Sequence, residues 1–185
     1  MNKIFWLVFF FILGGAGVLF ILPSFTLRLL FILIILAVLA WTLRAGRKIE
    51  INILALITAY VLSTAQFGLH FFFRIPAWAL LVVTFIWVTV LFWLGFRLKI
   101  GNITTSAKLL SLVTGLAGAE IALALLFWPT HFLVTSTVFF LLFYLVWMMA
   151  NFYMLGILSR NRLLIHSVFV VLVLSVLLFT AQWTI

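Results

Sequence analysis

Long runs of apolar residues, separated only by short polar breaks, constrain this chain more than any other feature of its sequence. Hydrophobic residues make up 69% of its 185 positions, and charged residues only 7%. An α-helix of roughly 20 apolar residues crosses a bilayer core, and the runs have about that length. They are uniformly apolar rather than alternating, so they predict helices and not the strands of a membrane barrel. The predicted fold class is therefore all-α, a polytopic membrane bundle.

The polar breaks divide the chain into seven predicted transmembrane helices, joined as short antiparallel hairpins in a single membrane domain of residues 1–185. The predicted helices cover residues 4–22, 26–43, 51–73, 76–96, 108–127, 132–157 and 163–184. The first run is longer than a typical signal-peptide core, and no polar region follows it, so we expect it to be retained as a membrane helix. A chain of this length is expected to hold no soluble module beside the bundle.

Basic residues lie almost entirely at one end of the predicted helices. Of the eleven Lys and Arg residues, only Arg28 and Arg74 fall at the other end. The remaining nine, at the N-terminus and in every second connection, are Lys3, Arg44, Arg47, Lys48, Arg97, Lys99, Lys108, Arg160 and Arg162. Short cytoplasmic loops are enriched in Lys and Arg. The pattern predicts a multi-pass protein of the cell membrane, plasma or inner, with a cytoplasmic N-terminus and an extracytoplasmic C-terminus.

The formal net charge of +9 has the same explanation. Basic residues scattered over loop ends satisfy the positive-inside rule and attract anionic lipid headgroups. The lipid bilayer is therefore the expected partner of this charge, and nucleic acid is not. Other membrane-protein subunits, and a small-molecule or ion ligand of unknown identity, remain open as further partners.

The composition also excludes several kinds of chemistry. The chain has no Cys and no Asp, and its two Glu residues are Glu50 and Glu120. Disulfides, thiolate nucleophiles and iron–sulfur ligation are therefore excluded, and the three dispersed His residues predict no metal site and no cofactor. No Lys lies in the interior of a predicted helix to form a retinal Schiff base, and no hydrolase or phosphate-loop motif is present. The sequence favours a non-catalytic protein, although a lone intramembrane Glu can still act as a general acid or base.

Glu120 is the most informative single residue, because it lies inside the fifth predicted helix. It is eight residues before Trp128 at the outer turn, which corresponds to a depth of roughly 12 Å. A carboxylate at that depth is costly, so we expect it to face the bundle interior and to be protonated, paired or hydrated.

Other polar side chains reach a similar depth when they are counted from the outer turns. On the third helix, Ser63, Gln66 and His70 share one helical face. The predicted ligand-binding residues are Glu120, Gln66, Ser63, His70, Thr64, Thr84 and Thr137, and the predicted rim residues are Arg28, Arg74 and His131.

A ridge of small residues runs along the same helix as Glu120. Ser111, Gly115 and Ala119 are spaced by four, with Gly118 and Ala122 alongside. Small residues at this spacing let membrane helices approach closely. The ridge therefore predicts a helix-packing surface rather than a ligand site.

Two functions are compatible with these features. In the first, the protein binds or transports a small solute or ion in an outward-facing polar pocket with Glu120 at its floor. In the second, it is a non-catalytic membrane subunit or scaffold of a larger complex, and the polar residues serve as glue between helices. A cavity lined by Glu120 would favour the first function, and a filled core with Glu120 on the perimeter would favour the second.

The predicted orientation is testable in this naturally Cys-free chain. Thr130→Cys should react with a membrane-impermeant maleimide from outside, and Ser159→Cys only after permeabilisation, because the two positions lie at opposite ends of the sixth predicted helix. Labelling of intact and permeabilised cells distinguishes these cases. Equal labelling of both positions from one side would overturn the predicted topology.

Overall fold

The computed structural model of the protein describes residues 4–45, 51–100 and 104–181, without the side chains of 41–45 and Ile100. The predicted all-α architecture is confirmed within these ranges. The described residues form seven helices: α1 (Ile4–Ile21), α2 (Phe25–Ala45), α3 (Ile51–Phe73), α4 (Ala77–Ile100), α5 (Thr105–Leu126), α6 (Phe132–Met154) and α7 (Arg160–Thr180). The predicted topology also used Lys3, Arg47 and Lys48, which lie outside the described residues, as do Glu50 and the last positions of the seventh predicted helix.

Six of these helices are long and apolar enough to cross a membrane, namely α1, α3, α4, α5, α6 and α7. In α2 the apolar stretch found within the described residues is shorter, from Phe25 to Ala40. Length and composition thus indicate a multi-pass membrane protein. A membrane crossing by α2 and the orientation of the termini remain predictions.

Four helices, α2, α4, α5 and α7, extend beyond their predicted limits, and in α4 and α7 polar residues continue the helix. The predicted fourth helix stops at residue 96, whereas α4 runs on to Ile100. Arg, Leu and Lys are good helix formers, so the helix continues beyond the end of its apolar run. The predicted seventh helix begins at residue 163, whereas α7 begins at Arg160, where Ser159 Oγ accepts from the Arg162 amide at 3.4 Å.

The sixth helix is shorter than predicted. It ends at Met154 rather than at residue 157, and Gly156 follows with φ 67°. The amide of Gly156 donates to the Tyr153 carbonyl and that of Ile157 to the Phe152 carbonyl, both at 3.0 Å. This is the Schellman arrangement, in which a residue in the left-handed region closes a helix.

Helix α3 lies at the centre of the bundle. Within the described residues it packs against α1, α4 and α6, whereas α2 packs only against α1, and α7 only against α6. All residues from 61 to 68 on α3 are buried, but α7 has a single buried residue, Val170. The architecture is therefore a five-helix core with α2 and α7 at its periphery.

Glycines allow the two closest helix pairs of the core to approach each other. On α1, a Cβ added to Gly17 would lie 2.7 Å from the Ala65 Cβ of α3. On α5, a Cβ added to Gly115 would lie 1.9 Å from the Thr89 Oγ1 of α4, and Gly118 faces Val88. The packing role predicted for the small-residue ridge of α5 is thereby confirmed.

Aromatic side chains fill the core between α4 and α6. Trp87 and Trp147 are 4% and 0% exposed, and the Trp147 ring lies 4.9 Å from that of Phe92. Phe143 contacts all three rings. The space left between α4, α5 and α6 is a cavity of only about 10 Å³. The part of the core farther from the proline turns is therefore packed with side chains.

A lysine ties three core helices together at the end opposite the proline turns. Lys99 Nζ of α4 donates to Asn52 Oδ1 of α3 and to Asn151 Oδ1 of α6, both at 2.5 Å. Trp147 Nε1 also donates to Asn52 Oδ1, at 3.3 Å, and Asn151 Nδ2 donates to the Trp147 carbonyl at 2.7 Å. One ammonium group thus holds the ends of α3, α4 and α6 in register.

We expect Lys99→Met to lower the free energy of unfolding by roughly 1.5–3 kcal/mol, because the two amide oxygens lose a charged donor. Lys108→Met is the matched control, since Lys108 is exposed on α5 and its side chain makes no hydrogen bond within the described residues. Its effect should stay within about 0.5 kcal/mol. Denaturant titration in detergent micelles measures both, and equal effects would contradict the bridging role of Lys99.

Candidate functional site

The polar residues predicted at mid-depth on α3 and α4 bond to each other. Gln66 Nε2 donates to Thr84 Oγ1 and, at 3.3 Å, to the Leu80 carbonyl. Gln66 Oε1 accepts from Trp87 Nε1 at 2.8 Å. The hydroxyl of Thr84 donates to the Leu80 carbonyl at 2.7 Å. Gln66 and Thr84 are both buried. The side-chain amide of Gln66 thus bonds to α4 through both its nitrogen and its oxygen, and it links α3 to α4.

Three further candidates bond to their own helices. Ser63 Oγ and Thr64 Oγ1 each donate to the Tyr60 carbonyl at 2.9 Å. Thr137 Oγ1 donates to the Leu133 carbonyl at 2.7 Å. A hydroxyl that bonds back along its own helix satisfies its donor without a partner on another helix. These side chains therefore need no ligand to satisfy their hydroxyl donors.

Glu120 lies on the perimeter of the bundle, where its side chain is exposed. Gly118 and Ala122, two residues to either side, are buried. Two residues correspond to about 200° around a helix, so Glu120 points away from this packing face. The exposed side chains around it are apolar: Leu109, Leu112, Val113, Leu116, Leu123 and Phe127. We call this surface the α5 face. Glu120 is thus not brought together with the other predicted site residues.

A cavity does open where the α3–α4 and α5–α6 turns meet, at the end that the charge pattern assigns to the outside. It has a volume of about 460 Å³, and we call it the outer pocket. Its polar side chains include His70, Arg74, Thr130 and Thr135, and its apolar lining includes Phe67 and Leu125. Of the predicted site residues, the structure brings only His70 and Arg74 together in this cavity.

The remaining rim residues lie elsewhere. His131 and Thr137 line a separate hollow of about 390 Å³ between α6 and α7. Arg28 Nε donates to the Leu22 carbonyl at 2.8 Å, so this side chain closes the α1–α2 turn. The predicted rim is thus divided among three places.

Hydrogen bonding assigns the tautomer of His70. Its Nδ1 lies 2.7 Å from the Ile75 carbonyl oxygen. A carbonyl only accepts, so Nδ1 carries the proton of the neutral ring. The other ring nitrogen, Nε2, is then an acceptor. His70 is only partly buried and lines the outer pocket.

Arg74 has an unusual backbone. It follows the last residue of α3 with φ 51°, and its amide donates to the His70 carbonyl at 2.9 Å. This left-handed helix cap usually falls to glycine, because a Cβ is strained there. The chain uses Gly156 for the corresponding position after α6, with φ 67°. An arginine therefore occupies the α3 cap despite the backbone strain that its Cβ causes there.

Two threonines of the outer pocket were missed by reasoning from sequence. Thr130 Oγ1 and Thr135 Oγ1 lie 3.0 Å apart, and both residues are buried. Counting depth along helices passed over Thr130, which lies in the α5–α6 turn. The available signal was that Thr130 and Thr135 are five residues apart, on either side of the predicted start of the sixth helix.

An apolar groove of about 400 Å³ lies between α1, α3 and α4. Gly14 and Gly17 of α1 form one side, and Gln66 and Trp87 are among the other lining residues. Among the described residues, no group of three or more His, Cys, Asp or Glu is placed to hold a metal ion. No protein family model, curated protein or solved structure matches this chain.

The strain at Arg74 can be measured. We expect Arg74→Gly to raise the free energy of unfolding by roughly 0.5–1 kcal/mol, because glycine adopts the left-handed region without a Cβ clash. Arg28→Gly is the control: Arg28 lies within α2, where glycine lowers stability by about 1 kcal/mol. Opposite signs for the two variants in denaturant titration would support the strain. A loss of stability in Arg74→Gly would show instead that side-chain contacts hold this turn.

Proposed function

We propose that this protein is a non-catalytic membrane subunit that docks a transmembrane helix of a partner on the α5 face, with Glu120 as the polar anchor. The observation that carries this proposal is the exposure of an ionisable side chain on an otherwise apolar face of a membrane-spanning helix. The partner helix is expected to present a hydrogen-bond donor, such as Lys, Arg, Asn or Gln, at the depth of Glu120.

The free-energy cost of exposing the Glu120 carboxyl group to the bilayer supports docking. Glu120 lies six residues before the end of α5, roughly 9 Å along the helix axis. Its carboxyl makes no hydrogen bond or ion pair within residues 4–45, 51–100 and 104–181. A charged group in the hydrocarbon region is costly, and insertion scales put the penalty at about 2.5–3.5 kcal/mol at the helix centre. A donor on a partner helix would reduce that penalty and would place the partner in one register.

The shape of the α5 face also suits a helix. Its apolar side chains run from Leu109 to Phe127, which spans roughly 27 Å of helix. That length is close to the thickness of the hydrocarbon core. A partner helix could therefore contact α5 over its full membrane depth, with Glu120 as the one polar contact on the face.

The core supports a subunit rather than a conduit. Its mid-depth polar groups, Gln66 and Thr84, bond to each other and to Trp87. Below them the rings of Phe92 and Trp147 are fully buried. These contacts fill the region that a transport path between α3, α4 and α6 would use.

Small-solute binding is the second candidate function, and the outer pocket is the observation that favours it. Its volume of about 460 Å³ lies within the range of small-molecule sites. The pocket differs from the one expected from sequence, because Glu120 is not among its lining residues. A small solute would enter between the α3–α4 and α5–α6 turns.

Photo-crosslinking tests the docking proposal in native membranes. A photoreactive amino acid at Leu116 on the α5 face should give a discrete protein adduct, and one at the exposed Val168 of α7 should give lipid adducts only. Glu120→Leu should abolish the Leu116 adduct, whereas Glu120→Gln should preserve it, because the amide still hydrogen-bonds. The isolated Glu120→Leu chain should be at least as stable as the wild type, since it exposes no carboxyl group. Lipid adducts alone at Leu116, or an adduct unchanged by Glu120→Leu, would refute the role of this face.

A further inference from the structure

We propose that the outer pocket is an anion site that binds a phosphate group through the guanidinium of Arg74 and Nε2 of His70. The inference rests on the second candidate function and names its ligand class. The phosphate could belong to a free solute or to the phosphomonoester headgroup of phosphatidic acid, and the chemistry of recognition is shared by both.

The first argument is the placement of Arg74. Its backbone occupies a helix-cap conformation for which glycine is suited, and glycine fills the corresponding position after α6. Within residues 4–45, 51–100 and 104–181, its guanidinium donates no hydrogen bond and forms no ion pair. Arg74 thus combines a strained backbone, unused guanidinium N–H donors and a position in the wall of a cavity. This combination suits a ligand that accepts several hydrogen bonds.

The second argument is the tautomer of His70. The bond from Nδ1 to the Ile75 carbonyl leaves Nε2 as an acceptor in the neutral ring. A monoprotonated phosphate carries one O–H donor beside its anionic oxygens. Its hydroxyl can therefore donate to Nε2 while its anionic oxygens accept from Arg74. His70, in the last turn of α3, and Arg74, directly after α3, both line the outer pocket.

The third argument is the electrostatics of the lining. No acidic side chain is among the residues that line the outer pocket, so no carboxylate competes with an anion for Arg74. Much of the wall is apolar, including Phe67, Leu125 and Phe132. Apolar surroundings strengthen a charge-assisted hydrogen bond relative to one in water. The hydroxyls of Thr130 and Thr135 add neutral polar groups to the same cavity.

Glycerol phosphate and glycerol are suitable probes, because they differ only in the phosphate group. Calorimetric titration of the full chain in detergent micelles should show binding of glycerol phosphate and of inorganic phosphate. In Arg74→Gly the dissociation constant for both should rise about ten-fold or more, as expected for the loss of one charge-assisted bond. Arg28→Gln removes the other arginine predicted on that side, outside the pocket, and should leave the dissociation constant within about two-fold of wild type.

A lipid arm distinguishes the two sources of phosphate. Native mass spectrometry compares retention of phosphatidic acid with that of uncharged diacylglycerol in wild type and Arg74→Gly. Selective retention of phosphatidic acid that is lost in Arg74→Gly assigns the site to a headgroup. Phosphate binding in micelles without such retention assigns it to a free solute. Either result supports the proposal.

The inference and the second candidate function fail in different ways. Ala77→Trp should fill the pocket, and Ala77 is exposed, so this substitution should be tolerated by the fold. If glycerol binds and Ala77→Trp blocks it while Arg74→Gly leaves phosphate binding unchanged, solute binding stands and the anion site is overturned. If the binding of glycerol, phosphate and phosphatidic acid is unaffected by Ala77→Trp, both are overturned.

Discussion

The close approach of α4 and α5 is the contact on which the placement of the candidate sites depends. Gly115 and Gly118 have no side chain, so α5 lies directly against Thr89 and Val88 of α4. This contact determines the rotation of α5 about its own axis. Glu120 is then directed outward, away from the core, and Leu125 is directed toward the outer pocket. A bulkier residue at Gly115 would have to displace α4 or rotate α5, and either movement would alter both surfaces.

Reasoning from sequence succeeded where the length of the apolar runs decides the number of helices. It was incomplete where the rotation of a helix about its own axis decides which side chains meet. Apolar length and short polar breaks predicted seven helices, and the described residues form seven. Helix ends moved by a few residues because capping by Ser159 and Gly156, rather than hydropathy, sets them. Glu120 was assigned to the same site as Gln66 because the two residues have a similar predicted depth, without regard to the directions of their side chains. The small-residue ridge already held the missing information, since Gly118 and Glu120 are about 200° apart on the helix.

The outer pocket shows a different limit of prediction. His70 and Arg74 were predicted to lie near one turn of the bundle from their positions before Pro76, a residue that forces the chain to leave the helix. The left-handed backbone of Arg74 was not predictable, because nothing in its local sequence requires it. The conformation depends on how the α3–α4 turn packs against the α5–α6 turn. Thr135 was missed because its bond to Thr130 forms only once the chain has turned, although the spacing of the two residues was a signal in the sequence.

Helix α5 connects the two proposed surfaces, which bears on whether they act independently. Its outer end contributes Leu125 and Leu126 to the outer pocket, and the next residue, Phe127, belongs to the α5 face. The polar anchors themselves are apart in the fold: Arg74 follows α3, Glu120 is on α5, and α4 packs between α3 and α5. Effects of distant, unconnected substitutions add, whereas those of residues in one packed network do not. A ligand that leaves the α4–α5 contact unchanged would leave the α5 face unchanged as well. A ligand that moved the last turn of α5 would shift Phe127 and would therefore change the contacts of a helix docked on the α5 face.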